Sequence, residues 1–271
     1  MSRSVPAPAP ACENSRQGTR MKTDEYRLMY EIEKRYWWFT GKRFLVTKVL
    51  KRLAGRPGGF PVPARILDVG CGTGGNLESL AAFGKAEGCD VAPEAVEFCR
   101  ARGLSGAVLQ ESPETLPFPD GVFDLATATD VLEHIDDDVA GLMEMARPLK
   151  AGGLLLLTVP AYPALWSVHD ESVFHKRRYT RKDLSAKLAA AGLERVLLTN
   201  WNLFLLPLIV PTRWLRDRVT RPGGATSDFH LQLPGWMNAA FYLAFISEWL
   251  LLRFFPLPAG LSLVAVVRKP R

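Results

Sequence analysis

Three polar side chains of one loop have the types and spacing that proton transfer requires. His169 and Asp170 are adjacent in the sequence, and His175 follows within the same loop. Histidine is the usual base near neutral pH, and a neighbouring carboxylate can orient its ring. We predict His169 as the catalytic base, oriented by Asp170, with His175 as the second candidate. Arg177 and Arg178 could hold an acidic or phosphorylated acceptor, or could simply bind backbone carbonyls of a structural loop.

A second cluster of residues predicts a ligand-binding turn. The apolar run Ile66 to Val69 is typical of a buried strand, and four glycines follow within residues 70–75. Glycine has no Cβ and tolerates positive φ, so the backbone can pass close under a ligand. The helix that follows directs free N–H groups at the same place. The candidate ligand-binding residues of this turn are Asp68, Gly70, Cys71, Gly72 and Gly74.

The glycine turn has two competing interpretations. Gly70, Gly72 and Gly75 fit the dinucleotide pattern G-x-G-x-x-G, and Asp90 stands at the spacing that this pattern requires. Asp68 argues against a dinucleotide, because its carboxylate would face a pyrophosphate at close range. A carboxylate suits a cationic ligand, such as an ammonium or a sulfonium group.

The turn resembles motif I of the class I S-adenosylmethionine (SAM) methyltransferases, whose D-x-G-x-G pattern stands here as Asp68, Gly70 and Gly72. The resemblance extends to a methyltransferase type 11-like bacterial subgroup, through the loop W-x-x-H-D … H-x-R-R-Y-T. It implies SAM as the cofactor. It also implies that Asp90, at the end of a second predicted strand, accepts hydrogen bonds from the ribose hydroxyls. From the residues alone, Asp90 could equally cap the helix that opens at Pro93.

The segment before the fourth predicted strand resembles the stretch with which the family binds adenine, but it departs from that pattern. Ser112 stands where the family usually has an aspartate for the adenine N6. Pro113 replaces a residue whose N–H usually donates to adenine N1, and proline has no N–H. We expect Ser112, Pro113 and Glu114 to line the adenine site with weaker or rearranged contacts.

The end of the fourth predicted strand resembles the part of the family fold that faces the transferring methyl group. Asp130, Glu133 and His134 would share one face if this segment were helical. A similar E-x-x-E-H pattern holds a metal in some RNA 2′-O-methyltransferases and ubiquinone-pathway O-methyltransferases. Many family members carry L-E-H without a metal, so we predict no metal. We assign Asp130 to the cofactor site, with Glu133 and His134 as its polar wall.

The elements that must position these residues predict an α/β fold. The resemblance implies a Rossmann-like, seven-stranded sheet in the order 3-2-1-4-5-7-6, with strand 7 antiparallel and helices on both faces. The only candidate for strand 7 is the apolar run 261–267, so a hydrophobic helical insertion separates strands 6 and 7. We divide the chain into a disordered tail (1–20), an N-terminal helical lid (21–58), a SAM-binding domain (59–201 plus 260–271) and the insertion (202–259).

The insertion has three interpretations. It could form two amphipathic helices that cap a hydrophobic acceptor pocket. Alternatively, the two helices could lie on a membrane surface, with their arginines at the lipid headgroups. A true membrane span would place Glu248 in hydrocarbon, which is costly. We expect a cytoplasmic protein, with peripheral contact at the inner face of the membrane as an option.

Composition narrows the function without naming the acceptor. A net charge of +6 permits an anionic partner but does not require nucleic acid, and none is expected. The four cysteines show no C-x-x-C spacing and are predicted to be free thiols. We predict methyl transfer from SAM, with oxygen as the favoured acceptor atom, to a small or lipid-like molecule. The alternatives are a dinucleotide-dependent oxidoreductase and a SAM-binding module without catalysis.

Overall fold

The structure, a computed structural model, describes residues 23–219 and 233–271. The side chains of residue 23 and of residues 213–219 are not included in this description. The predicted disordered tail and the Pro-Gly-Gly stretch at 222–224 lie outside the described residues. So do the side chains of the arginines that were expected at lipid headgroups.

The described chain alternates strands and helices as the sequence predicts. The helices are α1 (Thr23–Ile32), α2 (Trp37–Leu53), α3 (Gly75–Leu80), α4 (Pro93–Ala101), α5 (Asp138–Ala146), α6 (Val168–Ser172), α7 (Arg181–Ala190), α8 (Leu206–Val219) and α9 (Gly235–Leu252). The strands are β1 (Ala64–Val69), β2 (Gly84–Asp90), β3 (Ala107–Leu109), β4 (Phe123–Thr129), β5 (Leu149–Pro160), β6 (Glu194–Trp201) and β7 (Ser262–Arg268).

The seven strands form one sheet in the order β3-β2-β1-β4-β5-β7-β6, which confirms the predicted fold class. Strands β1 to β5 pair in parallel, and β7 is antiparallel to both β5 and β6. The central strand β5 is fully buried from Leu154 to Leu157, as its continuous apolar run predicts. Parallel strands direct their carboxyl ends to one edge of the sheet, and ligands bind at that edge in open α/β folds.

The two faces of the sheet carry different helices. On one face, α5 and α7 pack on β4, β5 and β7. On the other face, α2 and α9 pack on each other and share one apolar core with the sheet, centred on Trp37, Trp201 and Phe245. The N-terminal helices and the insertion are therefore continuous with the core of the fold. The four-part division of the chain stays a prediction.

Helix α9 is apolar on its exposed side as well as on its buried side. Its solvent-facing positions include Trp236, Leu243 and Leu250, whereas Phe245 and Glu248 are buried. The predicted amphipathic pattern is therefore absent from α9. Across residues 23–219 and 233–271, none of the helices has both the length and the apolarity that crossing a membrane requires.

Candidate functional site

The glycine turn connects β1 to α3 through three left-handed residues, Gly70, Gly72 and Gly74. A Cβ on Gly70 would lie 2.5 Å from Cγ2 of Val131, so this position has no room for a side chain. The N–H of Gly72 donates to Oδ2 of Asp90 at 2.9 Å, which ties the turn to the end of β2. The backbone of the turn is thus held in place at the carboxyl edge of the sheet.

Asp90 is nearly buried and faces the turn from the end of β2. Its Oδ1 accepts from the N–H of Ala92 at 2.9 Å, while its Oδ2 accepts from Gly72. The predicted helix-capping role and the predicted ligand role are compatible, because a carboxylate has further lone pairs beyond these two bonds. Asp90 lines the cavity described below.

Asp68 lies under the turn and is almost fully buried. The hydroxyl of Thr127 donates to its Oδ1 at 2.6 Å, but its Oδ2 has no hydrogen-bond partner among the described residues. Burial raises the pKa of Asp68 to about 7. An unpartnered, buried carboxylate oxygen is the complement of a cation, which fits the ammonium group expected there.

The end of α1 is fastened to the glycine turn by Glu33, which sequence reasoning missed. Its buried carboxylate accepts from the hydroxyl of Thr73 at 2.7 Å and forms an ion pair with Arg102. Arg102 also lies over the ring of Tyr30 in α1, at 4.3 Å from the ring centroid. The N-terminal helix therefore covers the turn, as the predicted lid would. A single acidic residue near a helix end carried no signal of this contact.

The three residues predicted at the adenine site differ in their position relative to the cavity. Pro113 and Glu114 line the cavity, whereas Ser112 is not among its lining residues. The hydroxyl of Ser112 is engaged locally by the Glu114 carboxylate. Gln110, which sequence reasoning did not single out, is buried, lines the cavity and donates from Nε2 to the Ser112 carbonyl at 2.6 Å.

Asp130 follows β4 in a left-handed conformation, with φ of 56°. Lys42 of α2 donates to its Oδ2 at 2.6 Å, and the Thr158 hydroxyl donates to its Oδ1 at 2.7 Å. Burial alone would raise the pKa of Asp130, but the charge and hydrogen bond of Lys42 hold it below its usual value. Asp130 lines the cavity, as expected of a cofactor-site residue, with both carboxylate oxygens already paired.

The predicted shared face of Asp130, Glu133 and His134 does not form, because only residues 132–134 make a short 3-10 turn. Glu133 is fully buried, and neither of its carboxylate oxygens has a hydrogen-bond partner among the described residues. Burial and the nearby charge of Asp130 raise the pKa of Glu133 well above its usual value. Burial and the charge of His175 lower the pKa of His134 to about 4.

The tertiary structure assembles a different set of possible metal ligands. Side-chain ligand atoms of Glu133, His134 and His175 all lie within 4.8 Å of one another. A carboxylate oxygen and two imidazole nitrogens suit a divalent transition metal. The Nδ1 of His134 lies 3.2 Å from the Phe174 carbonyl, which leaves its Nε2 as the ligand nitrogen. The donor set therefore fits a metal, although Asp130 takes no part in it.

Asp170 is buried in α6 and is held from three directions. It forms a capping box with Ser167, and Arg178 donates to both of its carboxylate oxygens, from Nε and Nη2, at 2.8 Å each. The third contact joins its Oδ1 to Nδ1 of His175 at 2.8 Å. Burial acts in the opposite direction, but the hydrogen bonds from His175 and Arg178 keep the pKa of Asp170 well below its usual range.

The histidine that this structure places on Asp170 is His175, whereas the sequence pattern paired Asp170 with His169. If Asp170 accepts a proton from Nδ1, the lone pair of His175 lies on Nε2, which is 3.7 Å from Oε1 of Glu133. His169 also lines the cavity, with its ring centroid 6.1 Å from that of His175. Arg178 is committed to Asp170, and Arg177 to Asp138 at 3.0 Å.

One cavity of about 830 Å³ brings most of these residues together. Of the predicted site residues, it is lined by Gly70, Cys71, Gly72, Asp90, Pro113, Glu114, Asp130, His169 and His175. Asp68, Gly74, Ser112 and Asp170 are not among its lining residues. The sequence analysis did not identify five of the lining residues: Glu33, Lys42, Arg43, Gln110 and Asn202. Of these, Lys42 and Arg43 had a possible signal, because they are two adjacent charged residues in a helix rich in aromatic residues.

Comparisons with known proteins agree with this geometry. Residues 67–157 match the family model of the methyltransferase domain. A ubiquinone biosynthesis O-methyltransferase of Xanthomonas oryzae is 38% identical over 112 residues, which are 39% of this chain and 47% of that protein. A probable S-adenosylmethionine-dependent methyltransferase of Mycobacterium tuberculosis is 26% identical over 205 residues, which are 74% of this chain and 69% of that protein. The chain thus spans about half the length of the Xanthomonas relative.

Solved structures show the same fold at low sequence identity. One is a chain from the complex of the Haloferax volcanii Trm112 methyltransferase activator with a methyltransferase; it has a TM-score of 0.59 and 19% identity, covering 93% of this chain and 99% of that chain. A methyltransferase structure from Bacillus halodurans has a TM-score of 0.55 and 22% identity, covering 83% and 99% respectively. These structures show the fold alone, whereas the methyltransferase domain matched over residues 67–157, together with the strand order, supports a class I SAM-dependent methyltransferase.

Proposed function

We propose that this chain transfers the methyl group of SAM to an oxygen atom of a small or lipid-like acceptor. One observation carries the proposal: a single cavity is lined both by the glycine turn with Asp90 and by His175, which Asp170 orients. A candidate cofactor site and a candidate base thus share one cavity. Methyl transfer needs little more from a protein than alignment of the reactants and removal of a proton.

SAM would supply an electrophilic methyl group on a sulfonium. On the protein side, Asp68 would pair with the ammonium group through its unpartnered Oδ2, and Asp90 would accept from the ribose hydroxyls. Nε2 of His175 would take the proton of the acceptor hydroxyl, and ionised Asp170 would stabilise the resulting imidazolium. The acceptor oxygen forms the new bond to the methyl carbon, and the electrons of the broken C–S bond remain on sulfur.

Two observations favour an oxygen acceptor that has an apolar part. The partial Xanthomonas match is with proteins named as ubiquinone biosynthesis O-methyltransferases. In addition, the insertion contributes apolar lining to the cavity through Ile209, Leu233 and Phe241, as expected of a cap over a hydrophobic pocket. The exposed apolar positions of α9 support peripheral contact of a cytoplasmic protein with a membrane as the second role of the insertion.

The first experiment is incubation with methyl-labelled SAM and an extract of the host cells, followed by partition between organic and aqueous phases. Label in the organic phase supports a lipid-like acceptor, and label in the aqueous phase moves the search to soluble metabolites. Absence of any labelled product, with S-adenosylhomocysteine still bound, would favour a SAM-binding module without catalysis. Tight binding of a nicotinamide dinucleotide in place of S-adenosylhomocysteine would favour the oxidoreductase.

A matched pair of variants tests the base. We expect His175→Ala to lower turnover by about 10²-fold or more, because general-base catalysis typically contributes 10²–10⁴-fold. His169→Ala should cost clearly less, and both variants should bind S-adenosylhomocysteine as the native chain does. A larger loss in His169→Ala than in His175→Ala would return the base to His169.

A further inference from the structure

At the end of the cavity where we expect the acceptor, the described residues of one wall are all uncharged. This wall is formed by the segment between β6 and α8, by the first turns of α8 and α9, and by the start of β7. Its lining residues are Asn202, Ile209, Thr212, Leu233, Phe241 and Leu261, followed by Ser262. No residue of this described wall carries a charge. The charged lining residues come from the helices and loops around the glycine turn and the histidines.

Asn202 is the polar exception in the apolar part of this wall. It is fully buried, and neither Oδ1 nor Nδ2 has a hydrogen-bond partner among the described residues. Its backbone is satisfied, since its carbonyl accepts from the N–H of Leu261 at 3.2 Å. Leaving a buried amide unpaired destabilises the folded protein, because the hydrogen bonds that the amide made with water are not replaced. A buried polar group without a partner requires an explanation, and a ligand group that completes its bonds is one.

Trp37 supplies a second unpaired group to the same cavity. It is buried, and its indole Nε1 has no acceptor among the described residues. The ring is fixed by edge contacts with Phe241 and Phe245, at centroid distances of 5.5 and 5.8 Å. Its backbone N–H is already bonded to Oδ1 of Asn238 at 2.8 Å. The indole N–H is therefore a preorganised donor in an aromatic environment.

We propose that Asn202 and Trp37 recognise an uncharged polar group, a hydroxyl or a carbonyl, on an acceptor whose apolar body lies along the α8–α9 wall. An amide offers both donors and an acceptor, and an indole offers a donor, so together they match a neutral oxygen group. A carboxylate or a phosphate would be desolvated there without a cation from this wall to pair with it. The proposal rests on the proposed methyltransferase function and specifies the class of its acceptor.

Calorimetry with simple probes tests the proposal on protein saturated with S-adenosylhomocysteine. The probes are 4-butylphenol, butylbenzene and 4-butylbenzoate, which share the apolar body and differ in the polar group. We expect 4-butylphenol to bind about tenfold more tightly than the other two, because only its hydroxyl pairs with the orphaned groups. Equal binding of butylbenzene and 4-butylphenol, tighter binding of 4-butylbenzoate, or no binding of any probe would overturn the inference.

Two variants place the preference on the named residues. Asn202 has φ of 66°, which glycine adopts without strain, so Asn202→Gly removes the amide and leaves the backbone path intact. Trp37→Phe removes the indole N–H and replaces the indole by a smaller aromatic ring, so it tests the proposal even if Asn202→Gly unfolds. Either change should reduce the preference for 4-butylphenol to about threefold or less, which corresponds to the loss of one hydrogen bond.

Asn200→Ala is the matched control. Asn200 is a buried amide in β6, two residues before Asn202, and it is not among the residues that line the cavity. We expect this variant to retain the native preference for 4-butylphenol. Retention of that preference in Asn202→Gly and in Trp37→Phe would refute the assignment. Failure of the native protein to bind S-adenosylhomocysteine would instead overturn the proposed function, so the two failures are distinguishable.

Discussion

Replacement of Asp68 by asparagine should change the pH dependence of stability in the ligand-free protein. The carboxyl group is almost fully buried, receives one hydrogen bond from Thr127 and has its other oxygen unpaired. Burial raises its pKa from the usual 3.8 to about 7. The folded state therefore holds a proton on Asp68 over a pH range in which the unfolded state has already lost it.

The sign and the size of the effect follow from linkage. Where the folded state binds more protons than the unfolded state, the free energy of unfolding falls as the pH rises. The loss is about 1.4 kcal/mol per pH unit between pH 5 and pH 6 and falls to about half of that at pH 7, where the folded-state group is half ionised, so it amounts to roughly 2 kcal/mol over this interval. Asparagine has nearly the same shape and does not ionise, so Asp68→Asn should lack this part of the pH dependence.

The assay is denaturant unfolding of both proteins at pH 5, 6, 7 and 8, with and without saturating S-adenosylhomocysteine. The difference between the native chain and the variant removes the contributions of Glu133 and the histidines, which both proteins share. Bound ligand should abolish the slope in the native chain, because its ammonium group stabilises the ionised carboxylate. A stability difference that does not change with pH, or full ligand affinity in Asp68→Asn, would refute the reasoning.

Three further predictions follow from contacts around the cavity. Glu33→Ala should lower the free energy of unfolding by about 3–5 kcal/mol, because it leaves the buried Arg102 without its carboxylate partner. Limited proteolysis of this variant should then cut within α1, and an uncut α1 would contradict the role of Glu33 in fastening α1 to the glycine turn. Gly70→Ala should weaken S-adenosylhomocysteine binding, measured by calorimetry, at least tenfold, because the new Cβ would lie 2.5 Å from Cγ2 of Val131. Gly103→Ala is the control: Gly103 also has a positive φ, but a Cβ there would have no other atom within 4 Å among the described residues. Turnover should survive EDTA, because methyl transfer needs no Lewis acid; a loss that Zn²⁺ or Mn²⁺ restores would instead assign a metal to Glu133, His134 and His175.

Local patterns were sufficient for the cofactor half of the site. The strand, the glycines and Asp90 are close in sequence, and a parallel sheet brings the ends of β1 and β2 together whatever the rest of the chain does. The order of the strands was implied by the resemblance to the family, and the last apolar run was the only candidate for β7. Helix boundaries were less certain: the segment predicted as a helical lid over 21–58 contains two helices, α1 and α2, separated at residues 33–36.

Contacts between distant segments decided the rest. Asp170 could be predicted as an orienting carboxylate, but its partner depends on how the chain turns after α6, which brings His175 back over it. Lys42 reaches Asp130 across 88 positions, and Glu33 reaches Arg102 across 69, so neither pair has a local pattern. Asn202 looks like an ordinary loop residue, and only the folded structure shows that its side-chain amide has no hydrogen-bond partner among the described residues.

The sequence by itself indicated the fold class, because the glycine turn and its flanking strand are short-range patterns that carry the resemblance to the methyltransferase family. That resemblance implied the strand order and SAM as the cofactor. Only the tertiary structure decided which histidine lies on Asp170, which residues line the cavity and which buried polar groups are left unpaired. Those properties depend on long-range packing, in which a side chain's neighbours come from elements that are remote in sequence.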